Sequence, residues 1–86
     1  MKEIRFSPNI DTNDLNIKAN QARKFLADGN KVKVSVRFRG RELAHTSVGR
    51  DILDQFAQLL SEVAVIDKPA KMEGRSMVLF LSQKRG

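Results

Sequence analysis

The chain contains no cysteine, no tryptophan and no tyrosine, with one histidine and two prolines. Without cysteine, neither a disulfide framework nor a thiolate zinc site can supplement the core. That absence fits a reducing compartment, and the expected location is the cytoplasm. His45 has no cysteine partner and no metal cluster around it, and the chain has no glycine-rich phosphate loop. No catalytic residue, metal or cofactor is therefore expected, and His45 reads as structural rather than catalytic. Asp51 and Asp54, three apart on a helix, read as surface acids. No apolar run approaches membrane-spanning length and no signal-peptide pattern opens the chain, so no membrane partner is expected. At 86 residues the chain is one domain, with room for a single modest core.

Charge is what the sequence has in excess. Sixteen Lys and Arg stand against 10 Asp and Glu, a net charge of +6, which favours polyanionic partners. The excess is clustered. In KVKVSVRFRGR, residues 31–41, Val32, Val34, Val36 and Phe38 alternate with Lys31, Lys33, Ser35, Arg37 and Arg39. A strand points successive side chains to opposite faces, so this is a half-buried strand with one apolar and one cationic side. Like charges about 6–7 Å apart along one face repel one another in the free protein. That face calls for a negative partner.

The remaining elements follow from periodicity and punctuation. Glu3–Ser7 alternates Ile4 and Phe6 with polar residues and reads as a first strand, ended by Pro8 and Asn9. Asp11, Asn13 and Asp14 offer N-caps for a helix whose stripe is Leu15, Ala19, Ala22 and Leu26, beside Phe25. Asp28-Gly29-Asn30 stops it, with Gly29 suited to a left-handed C′ position. Gly40 closes the second strand. A second helix runs to Glu62 from a start between Glu42 and Ser47, with Val48, Ile52, Phe56, Leu59 and Val63 as its expected buried stripe. Ala64–Asp67 reads as a short strand, and Lys68–Lys71 and Glu73–Arg75 as turns. The nearly continuous apolar run Ser76–Ser82 belongs at the centre of a sheet, and Lys84–Gly86 is a basic tail.

The order β-α-β-α-β-β predicts an α+β fold: a two-layer sandwich with a four-stranded mixed sheet and both helices on one face. Phe6, Phe25, Phe38, Phe56 and Phe80 each fall in a different element, and all five are expected in one shared core. Lys33, Ser35, Arg37 and Arg39 then lie on the open face, joined by Arg5. Arg41 follows just beyond Gly40, with Arg75 at the same or a neighbouring edge. Clustered arginines suit phosphate, because the guanidinium fork donates paired hydrogen bonds and keeps its charge. With no Trp or Tyr, and no Phe outward on this register, base stacking on the sheet is not expected. The reading is charge-mediated backbone contact with a structured RNA. Lys18, Arg23 and Lys24 lie away from the buried stripe of the first helix, and Lys68, Lys71 and Arg75 occupy loops, where contacts adapt easily. Two other readings stay open on the residues alone: a generic structured-RNA or ribosome-assembly module, and a basic domain that meets an acidic protein.

FRGRELAHTSVGRDIL (38–53), the preceding KVKVSVR and the late KMEGRSMVLFLS (71–82) closely resemble the C-terminal domain of bacterial translation initiation factor 3. The likeness covers essentially the whole chain. It implies a monomeric domain of a two-domain factor, excised from its N-terminal domain and lysine-rich linker. It implies binding to the platform of the small ribosomal subunit through 16S ribosomal RNA, which keeps the large subunit from joining prematurely. It further implies functional coupling to initiator tRNA and mRNA in start-codon selection. The matching basic positions are Lys18, Lys24, Arg37, Arg39, Arg41 and Arg75, to which the strand and loop reading adds Lys33 and Lys71. Some relatives carry arginine where this chain has Ser7 and Gln55.

Overall fold

The computed structural model describes residues 1–84. Strand β1 (Lys2–Phe6) leads through buried Pro8 into helix α1 (Thr12–Ala27). Asp11 is extended, and its carboxylate accepts the Asp14 N–H at 2.8 Å, satisfying one of the orphan donors of the first turn. At the other end Gly29 takes φ +85°. Its N–H donates to Leu26 O at 2.9 Å, and the Asn30 N–H donates to Phe25 O at 3.0 Å. This paired closure is the Schellman arrangement, and it needs a residue tolerant of positive φ.

Strand β2 (Val32–Arg37) runs parallel to β1, with Ile4 beside Val34 and Phe6 beside Val36. A 3-10 helix (Gly40–His45) leads into helix α2 (Thr46–Leu59), followed by β3 (Ala64–Glu73) and β4 (Ser76–Gln83). The sheet order is β1-β2-β4-β3, with β4 antiparallel to both its neighbours. The apolar strand Ser76–Gln83 is therefore central, as its composition requires.

Both helices bury their stripes on one face of the sheet. Val32, Val34 and Val36 are fully buried there, with Ile4 and Phe6 from β1 and Met77, Leu79 and Leu81 from β4. Ala19 and Ala22 let α1 lie close to this layer, and Phe6 meets Phe56 of α2 with ring centroids 5.5 Å apart. The two-layer mixed-sheet architecture expected from the sequence is the one observed.

Several local expectations are corrected. Helix α2 buries Gly49, Leu53 and Phe56, continued by Leu60, whereas Val48 and Val63 are exposed and Ile52 and Leu59 only partly covered. The reason is Phe38, whose ring rests on Gly49. A Cβ at Gly49 would lie 2.9 Å from Phe38 Cε1 and closer still to Cζ. Only glycine allows that approach, so the helix turns its bare position toward the ring. Helix α2 also ends at Leu59, short of Glu62.

Strand β3 continues through Lys68–Lys71 to Glu73 rather than turning there, with register shifts between Ile66 and Lys68 and between Lys68 and Lys71. Pro69 is tolerated because β3 is an edge strand and Pro lacks only the N–H. Gly74, at φ +63°, makes the expected turn. The five phenylalanines do not share one core. Phe6, Phe38 and Phe56 are buried and Phe25 packs at the margin, but Phe80 lies on the opposite face of the sheet. Arg85 and Gly86 of the basic tail lie outside the described residues.

Candidate nucleic-acid interface

The open face follows from strand parity and pairing. Val32, Val34 and Val36 point to the helices, so Lys33, Ser35 and Arg37 point away. Arg5 sits beside Ser35, and Glu3 beside Lys33. On β4, Phe80 faces Lys33, Val78 faces Ser35 and Ser76 faces Arg37. On β3, Lys68 sits beside Phe80, Lys71 beside Val78 and Glu73 beside Ser76. Two rows therefore cross the sheet: Lys33–Phe80–Lys68 and Ser35–Val78–Lys71. They are about 7 Å apart along the strands.

Part of the charge on this face is answered internally. Glu3 accepts from Arg5 Nε at 2.6 Å and lies 3.6 Å from Lys33 Nζ. The Arg5 hydrogen bond, aided by the charges of Arg5 and Lys33, holds the Glu3 carboxyl below its ordinary value. At the edge, Lys31 pairs with Asp67 at 3.4 Å. Among the described residues Arg37, Arg39, Arg41, Lys71 and Arg75 have no ion-pair partner. These cations remain available to an outside anion.

The arginines gather at one end of the sheet. Pairing of β2 stops at Arg37, and the next N–H, that of Phe38, donates to Arg75 O at 2.9 Å. That bond ties the β3–β4 turn to the end of β2. Arg39 therefore leaves the sheet instead of continuing its open face. Its N–H donates to Glu42 Oε1 at 2.9 Å, and the Glu42 N–H donates back to Arg39 O at 2.8 Å. This closed turn carries Arg39 and Arg41 out of β2 on a fixed path. Arg41 lines a hollow with His45, Glu42, Pro8 and Phe38.

Of the other expected residues, Lys33 and Lys71 are both on the open face, Lys71 in strand β3 rather than in a loop. Lys18 lines the cleft between β1 and α1 with Arg5 and Ser7, at the edge of that face. Lys24 is not brought to the arginine end. It sits in the last turn of α1, level with the start of β2. Arg23 has a structural partner: Nη2 donates to Leu59 O at 2.7 Å and Nη1 to Asn20 Oδ1 at 3.0 Å, tying α1 to the end of α2.

The sequence reading missed Phe80 and the place of Lys68, whose Nζ lies 5.4 Å from the Phe80 ring centroid. In MVLFL every residue is apolar, so no alternation marks which side faces out. Only the pairing with β2 shows it. Among the described residues no three His, Asp or Glu groups could hold a metal, and no helix is long and apolar enough to cross a membrane.

The family model described as "Translation initiation factor IF-3, C-terminal domain" matches residues 1–84. The chain is 55% identical over 85 residues to a translation initiation factor IF-3 of Clostridium perfringens, covering 99% of this chain and 48% of that protein. It is 52% identical over 85 residues to the factor of Borrelia garinii, covering 98% of this chain and 46% of that protein. With the factor of Caldanaerobacter subterraneus it shares 49% over 85 residues, 99% of this chain and 47% of the relative. The chain thus spans about half the length of the curated relatives it matches.

Proposed function

The chain belongs to the family of translation initiation factor IF-3 C-terminal domains, and on that premise we propose that it binds the small ribosomal subunit through 16S ribosomal RNA. The observation that carries the reading is the group Arg37, Arg39, Arg41 and Arg75. These residues are held at one end of the sheet by backbone hydrogen bonds and have no acidic partner among the described residues. Guanidinium groups carried on a fixed backbone can neutralise phosphates bidentately and follow the path of a folded RNA backbone. Lys33 and Lys71 on the open face and Lys18 at its edge extend the footprint, with Lys24 as a separate contact at the far end of α1.

The mechanism is occupation. Helices and core hold the sheet rigid, the cations dock it on the RNA, and the bound domain excludes contacts that the large subunit would make. No bond is made or broken. In the whole factor, the same occupancy supports selection of initiator tRNA on the start codon.

Subunit joining tests the reading. Light scattering reports association of small and large subunits on mixing, with and without the chain. The expected result is slower and less complete association, restored to the factor-free course when Arg37, Arg39 and Arg41 are all changed to Ala. Circular dichroism checks that the variant is folded. The Arg39–Glu42 turn is closed through the backbone N–H and C=O of Arg39, so the alanine variant keeps it. Unchanged inhibition by the folded variant would sink the assignment.

A further inference from the structure

The open face holds a feature that phosphate binding does not use. Phe80 is partly exposed at the centre of the sheet, flanked in one row by Lys33 and Lys68, with Val78, Ser35 and Lys71 in the next. The ring lies on the solvent side of the sheet, while the helix side of the same strand takes Met77, Leu79 and Leu81 into the core. The ring contributes nothing to that core. Arg5 and Arg37 lie farther out on the same face, Arg5 beside Ser35 and Arg37 beside Ser76. The acids on or beside this face are Glu3, already engaged by Arg5 and Lys33, Asp67, next to Lys68 in the chain and paired with Lys31, and Glu73 at the arginine end.

We propose that Phe80 is a stacking platform for one unpaired nucleobase, with Lys33, Lys68 and Lys71 receiving the phosphates of the same single strand. The proposal rests on the RNA-binding reading and adds to it a second kind of ligand, single-stranded RNA held through a base. Charge complementarity selects a polyanion, and the ring selects one that also offers a π-face. A duplex hides its bases and satisfies only the first requirement, whereas an unpaired strand satisfies both. In the free protein Lys68 Nζ stands over the ring at 5.4 Å. An exposed cation–π contact is weaker than base–aromatic stacking, so a base displaces the ammonium, which turns to the adjoining phosphate. Lys33 and Lys68 stand on opposite sides of Phe80, about 10 Å apart across the strands, and their four-carbon stems reach either side of a stacked nucleotide.

The test uses a seven-nucleotide oligoadenylate at low salt, and the same oligomer made abasic, titrated by NMR into wild type and Phe80→Leu. Leucine keeps the apolar bulk and removes the π-face, and position 80 is outside the helix-side core, so the fold is retained. Sedimentation with small subunits is run on both proteins. The expected result is ring-current shifts at Phe80, oligoadenylate binding about fivefold or more weaker in Phe80→Leu, and equally weak binding of the abasic strand by both. Equal affinity of the two proteins for oligoadenylate would overturn the platform, leaving phosphate contact alone. Small-subunit binding without any binding of oligoadenylate would overturn it too, while sparing the ribosomal reading. Binding of neither would end both.

Discussion

Replacing Gly49 with Ala should destabilise the domain, although the same change at an open helical position would stabilise it. An alanine in a helix interior is favoured over glycine by about 1 kcal/mol. Here the new methyl would lie 2.9 Å from Phe38 Cε1 and 3.2 Å from Cε2, inside the roughly 3.5–4.0 Å that carbon atoms prefer. Phe38 is 2% exposed, so the ring can yield only by giving up core packing and shifting toward the hollow it lines with Pro8 and His45. Overpacking of this kind costs about 1–3 kcal/mol, and so near a direct overlap should fall in the upper half of that range. The net loss is then about 1–2 kcal/mol, a fall in Tm of about 5–15 °C for a domain of this size. Urea and thermal unfolding followed by circular dichroism measure it. Adding Phe38→Leu should recover part of the loss, with a coupling of about 1 kcal/mol between the two sites. Since Phe38 lies between Arg37 and Arg39, the single variant should also bind small subunits less well, with no charge removed. A Gly49→Ala protein more stable than wild type would refute the packing argument.

Three further expectations concern charge. If about six cations displace counterions, log affinity for small subunits should fall against log salt with a slope of roughly −4 to −5. Removing Arg37, Arg39 and Arg41 should flatten it by about 2–3. The Glu3 carboxyl titrates below its ordinary value of 4.5. Its ion pairs thus stabilise the fold above that value, and the contribution fades as pH falls through the lowered native one. Carboxyl NMR shifts follow this titration directly, and Glu3→Gln should remove the transition. Arg23→Ala should cost about 0.5–1.5 kcal/mol in urea unfolding by freeing Leu59 O, while leaving subunit affinity within twofold.

Much of the fold was legible because its signals were independent. Asp11 and Gly29 bracket α1 by capping chemistry, and the 32–38 alternation gives β2 its faces without reference to anything distant. Helix α2 was harder: the sets 48/52/59/63 and 49/53/60 both have helical spacing around Phe56. A glycine gives no hydrophobic signal, so the set that docks on Phe38 was hidden. Strand β3 was cut short because Lys68-Pro69 is turn chemistry by composition, yet an edge strand accommodates it through register shifts. The cations of the candidate site could be named from sequence by type. Their grouping could not, because it depends on which strands pair. The pairing brings Arg75 to the end of β2, leaves Lys24 at the opposite end, and turns Phe80 outward.

The central claim is that the cations at the end of β2 dock this domain on the small subunit. Its most direct test is sedimentation of wild type and the Arg37/Arg39/Arg41→Ala variant with isolated small and large subunits, under matched salt. The account predicts that wild type pellets with small subunits in preference to large, and that the folded variant stays in the supernatant. Equal pelleting with both subunits, or undiminished pelleting of the variant, would contradict it.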